Sequence, residues 1–245
     1  MSLLLVAHGS RDPRFATTLR GVRDAVGAAT PDRRVELAYL DLTDPLVGTA
    51  LDALAGAGGR VTVVPLLLGD GYHSRFDLPV LLDESRRRHP GAVIDQTPVL
   101  GSISLATALV DRLHEAGAHS GDGVLMYAVG SSDEGSDEAA RRRGAEVARL
   151  TGLPVEVVFA TKLGPRAREL RGALARLRAA GATRIVGLPY FLSAGLLTER
   201  VEGLLRFLAP GCAVAGPLGA HPAVVDAVAA VADNRVPLSR LIVAN

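Results

Sequence analysis

Two histidines, His8 and His73, are the residues best suited to chemistry in this chain. His8 directly follows the apolar run at residues 3–7, and His73 sits in the glycine-containing loop LLLGDGYHSR. Neutral imidazoles are the commonest protein ligands for iron, cobalt, nickel and zinc, and they also take up a proton near neutral pH. Metal handling and base chemistry are therefore both open to the pair. Charged residues cluster around them in sequence. Asp12, Asp41 and Asp70 can attract a divalent cation or receive a proton, or can serve as turn and N-cap aspartates. Arg11, Arg14 and Arg75 can pair with substrate carboxylates, or can be solvated surface groups. Ser10 and Gly71, in the same two loops, complete the candidate substrate-binding set.

The remaining chemistry-bearing residues read as structural. His89 lies between an arginine run and Pro90 at a helix end, where positive charge suits the macrodipole. His114 and His119 fall in or beside a linker, and His221 precedes a proline at a helix start. Gly9-Ser10 after an apolar run suggests an anion-binding loop. No GxGxxG or GxxxxGK[ST] accompanies it, which argues against nucleotide binding. Cys212 has no GxSxG-like or histidine context that would make it a nucleophile. The arginine runs 86–88 and 141–143 are expected on solvated helix faces.

Composition narrows the field. With Lys+Arg 27 against Asp+Glu 26, the formal charge is +1, and no basic arm is present to hold nucleic acid. Aromatics at 4% and the absence of Trp leave little for base stacking. One cysteine rules out an intrachain disulfide framework or a Cys-rich metal cage, and fits a reducing cytoplasm. The apolar start is too short for a signal-peptide core, and no stretch approaches a membrane span. Hydrophobic residues at 48% suffice for a packed core.

The elements that must position the histidines alternate as βαβα. Strands are expected at 3–7, 35–39, 61–67 and 92–95, and again near 124–128, 155–160, 184–191 and 213–215. Helices are expected near 14–28, 46–57, 77–89 and 103–116, with Ala/Arg/Leu-rich helices between the later strands. This rhythm demands parallel sheets covered on both faces. With the flavodoxin-like order 2-1-3-4, strands one and three are neighbours. The loops carrying His8 and His73 then open onto one crevice at the carboxyl edge.

The chain is also an internal repeat. LLLVAHGSRD at 3–12 aligns with VLMYAVGSSD at 124–133, sharing Leu4/Leu125, Ala7/Ala128, Gly9/Gly130, Ser10/Ser131 and Asp12/Asp133. VELAYLDLTDP at 35–45 aligns with VEVVFATKLGP at 155–165, VVPLLLGDG at 63–71 with GLPYFLSAG at 187–195, and the segment from residue 98 with that from residue 216. Two domains are expected, 1–117 and 122–245, split at the linker EAGAHSGDG. In the second half His8 is matched by Val129 and His73 by Leu197, so the fold itself does not require imidazole at either place.

The strand-HGS start, AYLDLTDP and PLLLGDGYHSRFDLP resemble the class II tetrapyrrole chelatases, specifically the sirohydrochlorin chelatases, along nearly the whole chain as two fused copies. The resemblance implies two flavodoxin-like, chelatase-like lobes, each a four-stranded parallel sheet flanked by helices, with the macrocycle in a cleft between them. It implies His8 and His73 as metal ligands and proton acceptors, and Asp41 at a position where the family more often has Glu. The loop reads GDGYH where PGGH is more frequent. There is no His-rich tail and no Cys motif for an iron–sulfur cluster, so no permanently bound cofactor is expected.

The expected activity is that of a cytoplasmic lyase, inserting Fe²⁺ or Co²⁺ into sirohydrochlorin for siroheme or cobalamin biosynthesis. Sequence alone does not choose among iron, cobalt and nickel. A non-catalytic metal or tetrapyrrole carrier is the alternative, and a phosphoryl-transfer enzyme using His8 is the distant one. The fused repeat predicts a monomer, with a homodimer as the alternative.

Overall fold

The computed structural model describes residues 1–56, 59–71 and 73–233, with only the backbone of His73. It divides into two compact units, one comprising Met1–Ile103 with the segment from Gly219 on, the other Ser104–Leu218.

The first unit holds strands β1 (Ser2–Ala7), β2 (Arg34–Tyr39), β3 (Gly59–Pro65) and β4 (Ala92–Gln96) in the order β2-β1-β3-β4, all parallel. Leu3, Leu4, Leu5 and Val6 of the central β1 are wholly buried, as a continuous apolar strand covered on both faces must be. Helices α1 (Pro13–Ala29), α2 (Val47–Ala55) and α3 (Leu78–Arg88) cover the sheet. Leu4, Val6, Leu51, Leu54, Val63, Leu78 and Leu82 pack into one core cluster. Before α3, the backbone makes a short π-helical turn over His73–Asp77.

The second unit repeats the plan. Helix α4 (Ala106–Glu115) precedes strands β5 (Asp122–Ala128), β6 (Val155–Phe159), β7 (Arg184–Pro189) and the short β8 (Ala213–Val214), ordered β6-β5-β7-β8 and all parallel. Helices α5 (Glu134–Thr151), α6 (Arg168–Ala179) and α7 (Leu196–Leu208) complete it. Its core includes Leu125, Tyr127, Leu170, Leu174, Leu177, Val201 and Leu205. Helix α8 (Pro222–Ala232) follows in sequence but belongs to the first unit.

The repeat is visible in individual hydrogen bonds. Asp12 caps α1 and Asp133 caps α5 through their carboxylates. The Ser10 and Ser131 hydroxyls each accept from the amide two residues on, both at 3.1 Å.

The compact units exchange one helix relative to the repeat in sequence, because α4 packs against α5 and β7 while α8 packs against α1 and β3. Helix α4 buries Leu109 and Leu113 completely, and α8 buries Val224 and Val228. The two helices occupy matching places in matching sheets. An apolar stripe therefore says that a helix must cover a sheet, not which copy it covers.

One expectation is corrected, that for the arginine run at 141–143. Arg141 is exposed, but the Arg143 side chain is only 1% exposed. Its Nη1 donates to Glu146 at 2.6 Å, Glu146 also accepts from Ser104, and the buried Tyr190 hydroxyl pairs with Arg143. A buried cation is held only because acceptors surround it.

Candidate functional site

The parallel ladder of the first sheet does not stop at the strand ends. Leu40 N donates to Ala7 O at 2.9 Å and Asp41 N to His8 O at 3.0 Å, so Asp41 lies beside His8 by backbone pairing. On the other flank of β1, Leu66 N donates to Val6 O at 2.7 Å and starts the loop that leads to His73. The β2-β1-β3 order therefore brings the His8, Asp41 and His73 segments to one edge of one sheet. This is the carboxyl edge, where parallel α/β sheets carry their ligands.

Gly9 makes the approach feasible. Its φ is +101°, and an added Cβ would stand 1.7 Å from the Asp41 carbonyl oxygen. Only glycine tolerates both the conformation and the proximity. His8 itself is partly buried, with Nδ1 3.3 Å from Gly9 O. Next to it, Ser10 is clamped to the loop after β2: its amide donates to Thr43 Oγ1 at 3.1 Å, and Thr43 Oγ1 donates to Ser10 O at 2.9 Å. Asp41 is exposed, its carboxylate accepting the Leu42 amide at 2.7 Å.

The loop after β3 is braced from within. Ser74 Oγ donates to Asp70 Oδ1 at 2.7 Å and lies 2.8 Å from Gly71 O, while Arg75 Nε donates to Asp70 Oδ2 at 3.0 Å. Gln96 of β4 holds Ser74 O at 3.1 Å. Gly71 thus contributes its carbonyl to the turn that opens the π-helical segment. The His73 side chain, half of the expected pair, lies outside the described residues.

The candidate arginines fall into two kinds. Arg14 is tied to Asp12, whose carboxyl is held below the usual range first by the Arg14 side-chain hydrogen bonds. Arg75 is tied to Asp70. Arg11 is exposed on the same loop as His8. Asp12 and Asp70 thus serve the structural roles open to them, as cap and turn brace. Two residues that residue type alone did not single out, Thr43 and Ser74, fix the two loops. The Thr in AYLDLTDP was the available signal for the first. His221 caps α8, its Nδ1 accepting from Ala223 N at 3.2 Å, and His89 closes α3 against Asp52 at 3.0 Å.

Among the described residues, no group of three or more His, Cys, Asp or Glu side chains gathers to hold a metal. A cavity of about 480 Å³ lies at the opposite, amino edge of the second sheet, lined by Leu113, His114, His119, Asp122, Leu150 and Pro154 among others. No helix among the described residues is long and apolar enough to cross a membrane.

Comparison with known proteins agrees with the repeat. The model of the CbiX family matches twice, over residues 2–116 and 123–234. A sirohydrochlorin cobaltochelatase of Priestia megaterium is 27% identical over 222 residues, covering 84% of this chain and 68% of that protein. A sirohydrochlorin ferrochelatase of Bacillus subtilis is 27% identical over 241 residues, covering 92% and 88%. Among solved structures, SirB from Bacillus subtilis with Fe³⁺ superposes with a TM-score of 0.79 over 97% of this chain and 96% of that one, at 24% identity. CbiX, described as the terminal enzyme of siroheme biosynthesis in denitrifying bacteria, gives 0.64 over 97% and 100%, at 25% identity.

Proposed function

Starting from the fact that the chain belongs to the CbiX family, we propose that it is a cytoplasmic chelatase that inserts Fe²⁺ or Co²⁺ into sirohydrochlorin. The observation that carries the reading is the pairing of Asp41 N with His8 O across the carboxyl edge, with the His73 loop leaving from the neighbouring strand.

Insertion needs two things from the protein. The ion must lose water while held, and the two pyrrole N–H protons must leave as the metal–nitrogen bonds form. In this reading His8 and His73 hold the incoming ion and accept a proton, and the exposed Asp41 carboxylate is a further ligand or acceptor. Imidazole nitrogens with one carboxylate suit Fe²⁺ and Co²⁺. The ion is a substrate, and no resident cofactor enters the scheme. Sirohydrochlorin carries many carboxylates. In this reading the exposed Arg11 receives one, with Ser10, Arg14, Gly71 and Arg75 shaping the rim around it.

The test is anaerobic incubation of the protein with sirohydrochlorin and each of Fe²⁺, Co²⁺ and Ni²⁺, followed by absorption. Many equivalents of metallated product per protein support the proposal. Arrest at one equivalent identifies a carrier, and rates equal to the uncatalysed reaction with every ion reject the enzyme.

A further inference from the structure

The turn that carries His73 has a counterpart in the second unit without a histidine, and the two differ in how they are held. VVPLLLGDG at 63–71 aligns with GLPYFLSAG at 187–195, so Ser74 is matched by Thr198. Both hydroxyls address the same carbonyl: Ser74 Oγ stands 2.8 Å from Gly71 O, and Thr198 Oγ1 donates to Gly195 O at 2.8 Å. The next amide returns to that carbonyl in each copy, Arg75 N at 3.2 Å and Glu199 N at 2.9 Å. From here the copies part. In the second, α7 runs as an α-helix from Leu196, whereas in the first His73–Asp77 form a π-helical turn before α3 begins at Leu78.

A π-type ladder joins each carbonyl to the amide five residues on. For Ser74 that residue is Pro79, which has no N–H. A donor comes from β4 instead: Gln96 Nε2 reaches Ser74 O at 3.1 Å. Ser74 is buried, where an unmatched carbonyl is costly. Sheet register identifies the counterpart of Gln96. Val63 pairs with Gln96, and its repeat mate Gly187 pairs with Val214, whose side chain has no donor. Asp70, which accepts from Ser74 and Arg75 inside the loop, is likewise replaced by Ala194. The hydroxyl kept in both copies serves the shared turn. Gln96 and Asp70 accompany the π-helical turn and the histidine.

We propose that Gln96 is a positioning residue for metal handling: by holding the Ser74 carbonyl from the neighbouring strand, it fixes the backbone turn on which His73 stands. The inference rests on His73 as a metal ligand, assigned under the preceding heading. A group that orients a ligand without touching the ion typically changes metal affinity or activity by about ten- to a hundredfold when lost.

The test uses the full chain and Co²⁺ alone, with binding followed by the ligand-field absorption of the bound ion. Gln96→Val supplies the side chain of the second copy, and Gln96→Glu keeps the length while offering no donor at neutral pH. Each is expected to weaken Co²⁺ binding about tenfold, to lower Tm by only about 2–4 °C, and to leave KM for sirohydrochlorin unchanged. In a His73→Ala background, Gln96→Val is expected to change Co²⁺ affinity by less than about twofold, because a residue that acts through His73 has nothing left to act on. Parental Co²⁺ binding in either folded Gln96 variant overturns the inference. So does an equal further loss in the His73→Ala background, which is what a merely structural role would give. Because Co²⁺ binding needs no turnover, the two readings separate. Protein that shows this coupling but inserts no metal defeats the chelatase assignment and keeps the role of Gln96. Protein that inserts metal while its Gln96 variants bind Co²⁺ as the parent does the reverse.

Discussion

Replacing Gly9 by alanine attacks the site through its backbone alone. At φ +101° a Cβ is strained, and it would meet the Asp41 carbonyl at 1.7 Å. Restoring an ordinary contact of about 3.3 Å moves the two loops apart by about 1.6 Å. Strain and lost loop contacts together cost roughly 2–4 kcal/mol, or about 5–15 °C in Tm for a chain of this size. A misplacement of this order between reacting groups lowers kcat by about a hundredfold. The internal repeat supplies the control. Gly130 has φ +90°, and a Cβ there meets Thr161 Oγ1 at 2.5 Å. Gly130→Ala is thus expected to lower Tm comparably while keeping kcat, because no candidate metal ligand follows β5. Both variants are measured by thermal unfolding and by anaerobic metal insertion. Wild-type kcat in folded Gly9→Ala, or an equal kcat loss in Gly130→Ala, would refute the reasoning.

Other consequences are more local. Thr43→Val removes both hydrogen bonds that clamp Ser10; denaturant melts are expected to show a loss of about 1–2 kcal/mol, with a severalfold drop in kcat. Arg143→Leu strips the buried partner from Glu146 and Tyr190, and a loss of about 3 kcal/mol is expected, partly recovered when Glu146 is also made apolar. Asp122, at 0% side-chain exposure, is held below the usual carboxylate range first by its hydrogen bonds from Arg184. Its folded-state value lies below the unfolded one of about 3.9, so its stabilisation is present above that pH and is lost as pH falls through the lowered value. Asp122→Asn is therefore expected to melt below wild type at neutral pH, with the gap closing in acid; a gap that widens in acid would contradict this assignment.

Much of the fold was legible because parallel strands buried on both faces read as unbroken Val/Leu/Ile runs, and each strand appears within a few residues of its expected place. The repeat was legible because Gly9 and Gly130, and Asp12 and Asp133, meet backbone requirements that few other residues satisfy. The partition of helices was not. Leu109 and Leu113 of α4 would fit either sheet, and only three-dimensional packing selects α5 as the partner. Arg143 was misread because a helical arginine run has the composition of a solvated face; the groups that hold it are Glu146, one turn along the same helix and itself braced by Ser104, and Tyr190, which the fold brings in from beyond β7. At the candidate site, the edge was legible from strand order and residue type. The clamps made by Thr43 and Ser74 were hidden, since a hydroxyl's partner depends on loop geometry that local sequence does not specify.

The measurement that bears most directly on the central claim compares His8→Ala and His73→Ala with the parent protein. Far-UV circular dichroism and Tm establish the fold, and anaerobic Co²⁺ insertion into sirohydrochlorin reads the function. The account predicts that each variant stays folded, still binds metal-free sirohydrochlorin, and loses at least about a hundredfold in kcat, in line with removal of a group that acts on the reacting atoms. Parental turnover in either folded variant would contradict it.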